Sequence, residues 1–140
     1  MDRGIEIETI EQRAAEGVEF VKSLLGRSHI PFREIDKVTV PAKPGVYVVY
    51  EKGELVYVGK SGKLRTRIKY QLWGGRNHYL ASHLMERLGG GVPDLRRHLG
   101  AHFAFQYQEV LSDAEAKWIE RFAISVLRPR YNGGAESFGE

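Results

Sequence analysis

Cysteine is absent from this 140-residue chain. Without thiols there is neither a disulfide framework nor a thiolate zinc site, and a reducing, cytoplasmic setting is the expectation. Long apolar runs are missing too. Nothing approaches the roughly 18 residues that a membrane span requires, and Met1-Asp2-Arg3-Gly4-Ile5-Glu6 lacks the apolar core of a signal peptide. No membrane partner is therefore expected. Five histidines are present, but neither His78 with His83 nor His98 with His102 forms an HExxH zinc motif. There is no internal repeat and no low-complexity segment.

What the chain does have is an ordinary apolar share, 42%, enough for the core of one domain with an appended helix. Its net charge of +3 is unevenly spread. Residues 1–56 hold 8 Lys and Arg against 10 Asp and Glu, whereas residues 57–131 hold 13 against 6. A basic middle between acidic ends suggests a face that attracts a polyanion, with a merely uneven solvated surface as the alternative.

Residues 7–25 carry Ile7, Ile10, Ala14, Val18, Val21 and Leu25 at three- and four-residue steps, the pattern of an amphipathic helix. Gly26, Pro31, Pro41 and Pro44 punctuate a connector, in which Ile35, Val38 and Val40 suggest one short strand. Gly45–Tyr50 and Glu54–Gly59 read as a hairpin around Glu51-Lys52-Gly53. A three-residue turn would pair Val46 with Val58, Val48 with Val56 and Tyr47 with Tyr57. The valines then share one face and the tyrosines the other, and core burial selects that register.

Further helices are expected at Ser61–Trp73, Tyr79–Leu88 and Pro93–Leu99, and a third strand at His102–Leu111. Ser112-Asp113-Ala114-Glu115 is a capping box. It opens a last helix to Leu127 with Trp118, Ile119, Phe122 and Val126 inward, stopped by Pro129.

Some residues stand out chemically. Glu120 sits at the edge of that apolar stripe, where a half-desolvated carboxylate needs a cation. A salt bridge to Arg67 or Lys117 would serve, and so would a divalent metal, since magnesium is often held by one or two carboxylates plus phosphate oxygens. Arg67 lies beside the stripe of its own helix and could hold two phosphate oxygens. Gly59, Lys60 and a helix start near Ser61 could bring N–H groups and a cation to phosphate. Lys63, Arg65, Lys69 and Arg76 read as exposed contacts to a nucleic-acid backbone. His78 follows that basic helix and could join them or assist proton transfer.

Gly45-Val46-Tyr47, then Tyr57-Val58-Gly59-Lys60, then Leu64-Arg65-Thr66-Arg67-Ile68 resembles the GIY-YIG nuclease family, including its excision-repair nuclease domains. Glu120, nine residues before Pro129-Arg130-Tyr131-Asn132, is similar to the family's closing signature. The resemblance spans about residues 44–133. It implies an α+β fold with a three-stranded antiparallel sheet flanked by helices, here preceded by an N-terminal helix and connector (1–43) and followed by a tail (134–140). It implies a divalent-metal-dependent endonuclease acting on nucleic acid, DNA first, with Mg2+ or Mn2+ as cofactor. A noncatalytic nucleic-acid-binding module of the same fold is the alternative.

Carried over residue by residue, the resemblance makes Tyr47, Tyr57, Lys60, Arg67, Glu120 and Asn132 the catalytic set. Glu120 is the metal ligand and Asn132 the brace. Family members often carry His or Tyr one turn after the arginine, and here that place is Gln71, which cannot serve as a base. Tyr70, His78 or a motif tyrosine must take the role. Tyr47 is the first choice, with Lys60 and the metal supplying the positive charge a phenolate needs. The N-terminal helix is expected to pack or to form a homodimer rather than read DNA.

Overall fold

The valine-rich segments form the two central strands, but their turn is tighter than three residues. The computed structural model describes residues 3–133, so the expected tail at 134–140 lies outside the described residues. Strand β2 (Gly45–Glu51) pairs antiparallel with β3 (Glu54–Ser61) across Lys52-Gly53. Both turn residues have positive φ, 51° and 87°, as two-residue hairpin turns require. Such a turn alone would scatter the valines over both faces. A β-bulge at Val56 corrects this: Tyr50 pairs with Leu55, but Val49 pairs with Tyr57.

The resulting pairs are Val46–Lys60, Tyr47–Gly59 and Val48–Val58, not those expected. From Val46 to Val49 the register has moved by two residues, which preserves facing; beyond the bulge it has moved by one, and Val56, expected on the valine face, lies on the tyrosine face. Val46, Val48 and Val58 share one side of the sheet. Tyr47 and Tyr57 share the other, joined there by Val49 and Val56.

Strand β4 (Phe103–Glu109) adds to the free edge of β2, and the two-residue β1 (Ile30–Pro31) adds to β4. The sheet is four-stranded in the order β1-β4-β2-β3, antiparallel throughout. The short extra strand is therefore Ile30–Pro31, not the Ile35–Val40 stretch. Phe32, Ile35 and Val38 recur every third residue, the period of a 3-10 helix. Phe32–Lys37 winds that way and buries Phe32 and Ile35.

Helices α1 (Arg3–Leu25) and α4 (Asp113–Leu127) cover the valine face. The N-cap bond of the expected capping box forms, with Ser112 Oγ accepting from the Glu115 N–H at 3.1 Å. Ala116, Ile119 and Ala123 are buried on α4 with Trp118 and Phe122 packed around them, whereas Val126 is exposed, contrary to expectation. Of the expected apolar stripe of α1, only Val21 is buried and Leu25 half-buried, whereas Ile7, Ile10, Ala14 and Val18 face solvent. Gly17 and Leu24, outside the expected stripe, are buried beside Val21. A 23-residue helix is about 35 Å long, whereas a seven-residue strand spans about 23 Å. The helix outruns the surface it packs on. Buried Gln106 ties its end down by accepting from Tyr50 Oη and donating to the Leu25 and Arg27 carbonyls.

The tyrosine face carries a π-helix (Thr66–Leu72), α2 (Tyr79–Leu88), α3 (Val92–His102) and α5 (Arg130–Gly133). No helix among the described residues is long and apolar enough to cross a membrane.

Candidate active site

Tyr47 points from the middle of β2 across its partner residue Gly59. A Cβ at Gly59 would collide with the Tyr47 ring, so only glycine lets the phenol lie flat over β3. Gly45 has the same kind of reason, since a Cβ there would run into Leu64 and the Gln108 carbonyl. Tyr47 is 1% exposed, while Tyr57 is only partly buried. The two rings are 6.2 Å apart, and His78 stands against both, at 6.1 and 5.6 Å. His78 Nε2 lies 2.6 Å from Tyr47 Oη.

His78 is the N-cap of α2, and its Nδ1 accepts the Leu80 N–H at 3.2 Å. It is 2% exposed, so it is a buried member of the tyrosine cluster and not a surface contact to a nucleic-acid backbone. Burial, then the Arg67 charge, pushes its pKa from 6.5 down to about 3. Burial pushes Tyr47 well above its ordinary range, and Tyr57 up to about 12.

Arg67 is half-buried on the π-helix, a winding enriched at functional sites. One Nη donates to the Asn77 carbonyl at 3.3 Å. Asn77 has φ of 49°, so the loop into α2 turns a carbonyl back toward the guanidinium. The charge of Arg67 acts on Tyr47, Tyr57, His78 and Glu120.

Glu120 makes no hydrogen bond or ion pair with the described residues, so neither expected salt bridge forms. Burial raises its pKa, opposed by Lys60, Arg121 and Arg67. A half-buried carboxylate near cations but bonded to none suits a divalent ion that draws its other ligands from water and phosphate. Among the described residues no cluster of three His, Asp or Glu offers an all-protein cage.

Lys60 pairs across the sheet with Val46, on the α4 side, and lies 3.5 Å from Asp113 Oδ1. Its charge reaches Glu120 but is not among those acting on the tyrosines. The cation beside the phenols is Arg67, contrary to expectation. Asn132 binds both backbone groups of Val58, accepting its N–H at 2.7 Å and donating to its carbonyl at 2.9 Å. It thus braces the free edge of β3. Tyr131 and Arg130 anchor α5 by bonding Glu51 at the hairpin end.

Of the basic residues expected on the surface, Lys63 and Arg76 are exposed. Arg65 and Lys69 are half-buried, donating to the Val40 and Val38 carbonyls of the connector at 2.8 and 2.7 Å. Tyr70 is 60% exposed and stands outside the cluster. Asp113, Arg121 and Asn77 escaped the sequence reading. Only the first left a trace there, as an acidic residue in a capping box.

The buried, neutral His78 makes stability pH-dependent. Its folded pKa lies below its unfolded value, so its contribution is complete above pH 6.5 and is lost as pH falls toward 3. At about 1.4 kcal/mol per unit the whole span is worth roughly 5 kcal/mol. Thermal midpoints should fall more steeply from pH 7 to 4.5 in the wild type than in His78→Asn. Parallel curves would contradict this.

Sequence comparison finds similarity to UvrABC system protein C. The chain is 30% identical to that of Alkaliphilus oremlandii over 95 residues and 32% identical to that of Clostridium novyi over 94, which is 67% and 66% of this chain. It spans about 13% of the length of these relatives. No family model matches the chain. Among solved structures, the magnesium-bound GIY-YIG N-terminal endonuclease domain of UvrC from Thermotoga maritima aligns at 21% identity. The TM-score is 0.48, over 71% of this chain and 94% of that one.

Proposed function

We propose that this chain, a GIY-YIG nuclease-family domain, is a divalent-metal-dependent endonuclease that hydrolyses phosphodiester bonds in DNA. The observation that carries this reading is the convergence of Tyr57, Arg67 and Glu120 on one spot, with Glu120 bonded to none of the described residues. Glu120 would hold a Mg2+ or Mn2+ ion. That ion supplies positive charge to the phosphate and the leaving oxygen.

The protein groups then divide the work. Tyr57, the more open of the two phenols, accepts the proton of the attacking water as its phenolate, having first lost its own proton to solvent; Arg67 and the charge of a bound ion would favour that form against the burial that raises its pKa to about 12. Tyr47, first choice on sequence grounds, is sealed from solvent and supports Tyr57 from behind. Arg67 faces the same spot and neutralises charge gathering on the phosphoryl oxygens. Lys60 keeps Glu120 ionised, and Asn132 holds β3, and so Tyr57, in place. Lys63 and Arg76 add sequence-independent attraction for the backbone. A pathway in DNA repair fits the similarity to UvrC.

Supercoiled plasmid incubated with the protein and magnesium should yield nicked circles. Chelator should stop the reaction, and excess magnesium or manganese should restore it. Retained DNA binding with no nicking in any metal would leave only the noncatalytic binding module.

A further inference from the structure

Nothing in the resemblance assigns the short contact between His78 and Tyr47, and the fold fixes its direction. Nδ1 of His78 accepts the Leu80 N–H at the start of α2, at 3.2 Å. A neutral imidazole has one bare nitrogen and one protonated nitrogen. With Nδ1 bare, the proton sits on Nε2, 2.6 Å from Tyr47 Oη. His78 is therefore the donor in this bond. An imidazolium would carry a hydrogen on both nitrogens and forfeit the cap.

A phenol has one hydrogen to give. Tyr47 Oη, filled on one side by His78, must direct its own hydrogen elsewhere, and at 1% exposure solvent is not available. Tyr57 stands 6.2 Å away, ring to ring. The side-chain interaction between the two phenols pushes Tyr47 up and Tyr57 down, the direction expected when Tyr47 gives its hydrogen and Tyr57 receives it.

We propose that His78 is a positioning residue for the cleavage reaction: its Nε2–H, donated to Tyr47, turns the Tyr47 hydrogen toward Tyr57 Oη. The relay runs from the Leu80 N–H through His78 and Tyr47 and ends on the oxygen that faces the substrate. Each link favours negative charge on Tyr57. This rests on the nuclease reading above. It also excludes His78 as the general base in place of Gln71, because its only bare nitrogen is occupied by the α2 backbone.

Asparagine is among the best N-caps, and it is too short to reach Tyr47. His78→Asn therefore removes the donor and keeps the cap. We expect kcat for plasmid nicking to fall about 10- to 100-fold, with KM within about twofold. In a Tyr47→Phe background the same change should cost nothing further. Unchanged kcat, or an equal loss in both backgrounds, overturns the proposal. Imidazole 15N spectra of the wild type give an arm independent of folding defects in the variant. Bare Nδ1 with protonated Nε2 is expected, and the opposite tautomer overturns the proposal. A wild type with no metal-dependent cleavage would instead overturn the nuclease reading, and the positioning role with it, while the spectra still report the tautomer.

Discussion

Glu120→Gln should reduce magnesium-dependent nicking by at least about 1,000-fold, near 4 kcal/mol of barrier, and leave the fold intact. Glutamine keeps the shape of the side chain but removes the charge that would hold the ion. The usual danger of deleting a buried charge is the partner left behind, and Glu120 has no bonded partner among the described residues to strand. Its pKa, raised by burial, means that the carboxylate is less stable in the folded chain than in the unfolded one. Removing that charge should leave the thermal midpoint unchanged or slightly higher. A lost midpoint would mark Glu120 as structural. Nicking within tenfold of the wild type would remove it from the metal site.

Why the sequence foretold some of this and not the rest has a physical explanation. Motif spacing locates residues whose backbone surroundings are shared by every chain with the same hairpin and closing helix. Tyr47, Tyr57, Arg67 and Glu120 are of that kind, and they meet. Gly59 belongs with them, because the phenol of Tyr47 needs the space a side chain would fill. The hairpin register was legible only in parity. Alternation told which face most residues share, but a bulge at Val56 moved the pairs from Val46 to Val49 by two, keeping their faces, and put Val56 itself on the tyrosine face.

The role of His78 was not legible, because it depends on the 11-residue path from Arg67 through the π-helix and the left-handed Asn77. No local pattern encodes that path. One faint signal existed: a histidine stands just before the first residue of α2, where serine, threonine, aspartate or asparagine would be ordinary. The exposed start of α1 was illegible for a different reason. Periodicity reports which side of a helix is apolar, not whether the sheet extends far enough to cover it.

The two motif tyrosines should respond differently to loss of their hydroxyls, and that difference tests the division of labour between them. Tyr57→Phe should lower kcat by about 100- to 10,000-fold, the range for a lost proton acceptor. It should cost about 1–3 kcal/mol of stability as well, because the buried Tyr47 O–H loses its acceptor, although Tyr47 keeps its bond from His78. Tyr47→Phe should lower kcat only about 10- to 100-fold, the effect of one supporting hydrogen bond to a developing charge. It should also cost about 1–3 kcal/mol of stability, because it strands the buried Nε2–H of His78. Paired measurements of kcat on the two variants, with midpoints to show that both remain folded, separate the roles. If Tyr47→Phe proved the more damaging to kcat while its midpoint held, the proton acceptor would be Tyr47 after all. A route for water into that closed face of the sheet would then be required.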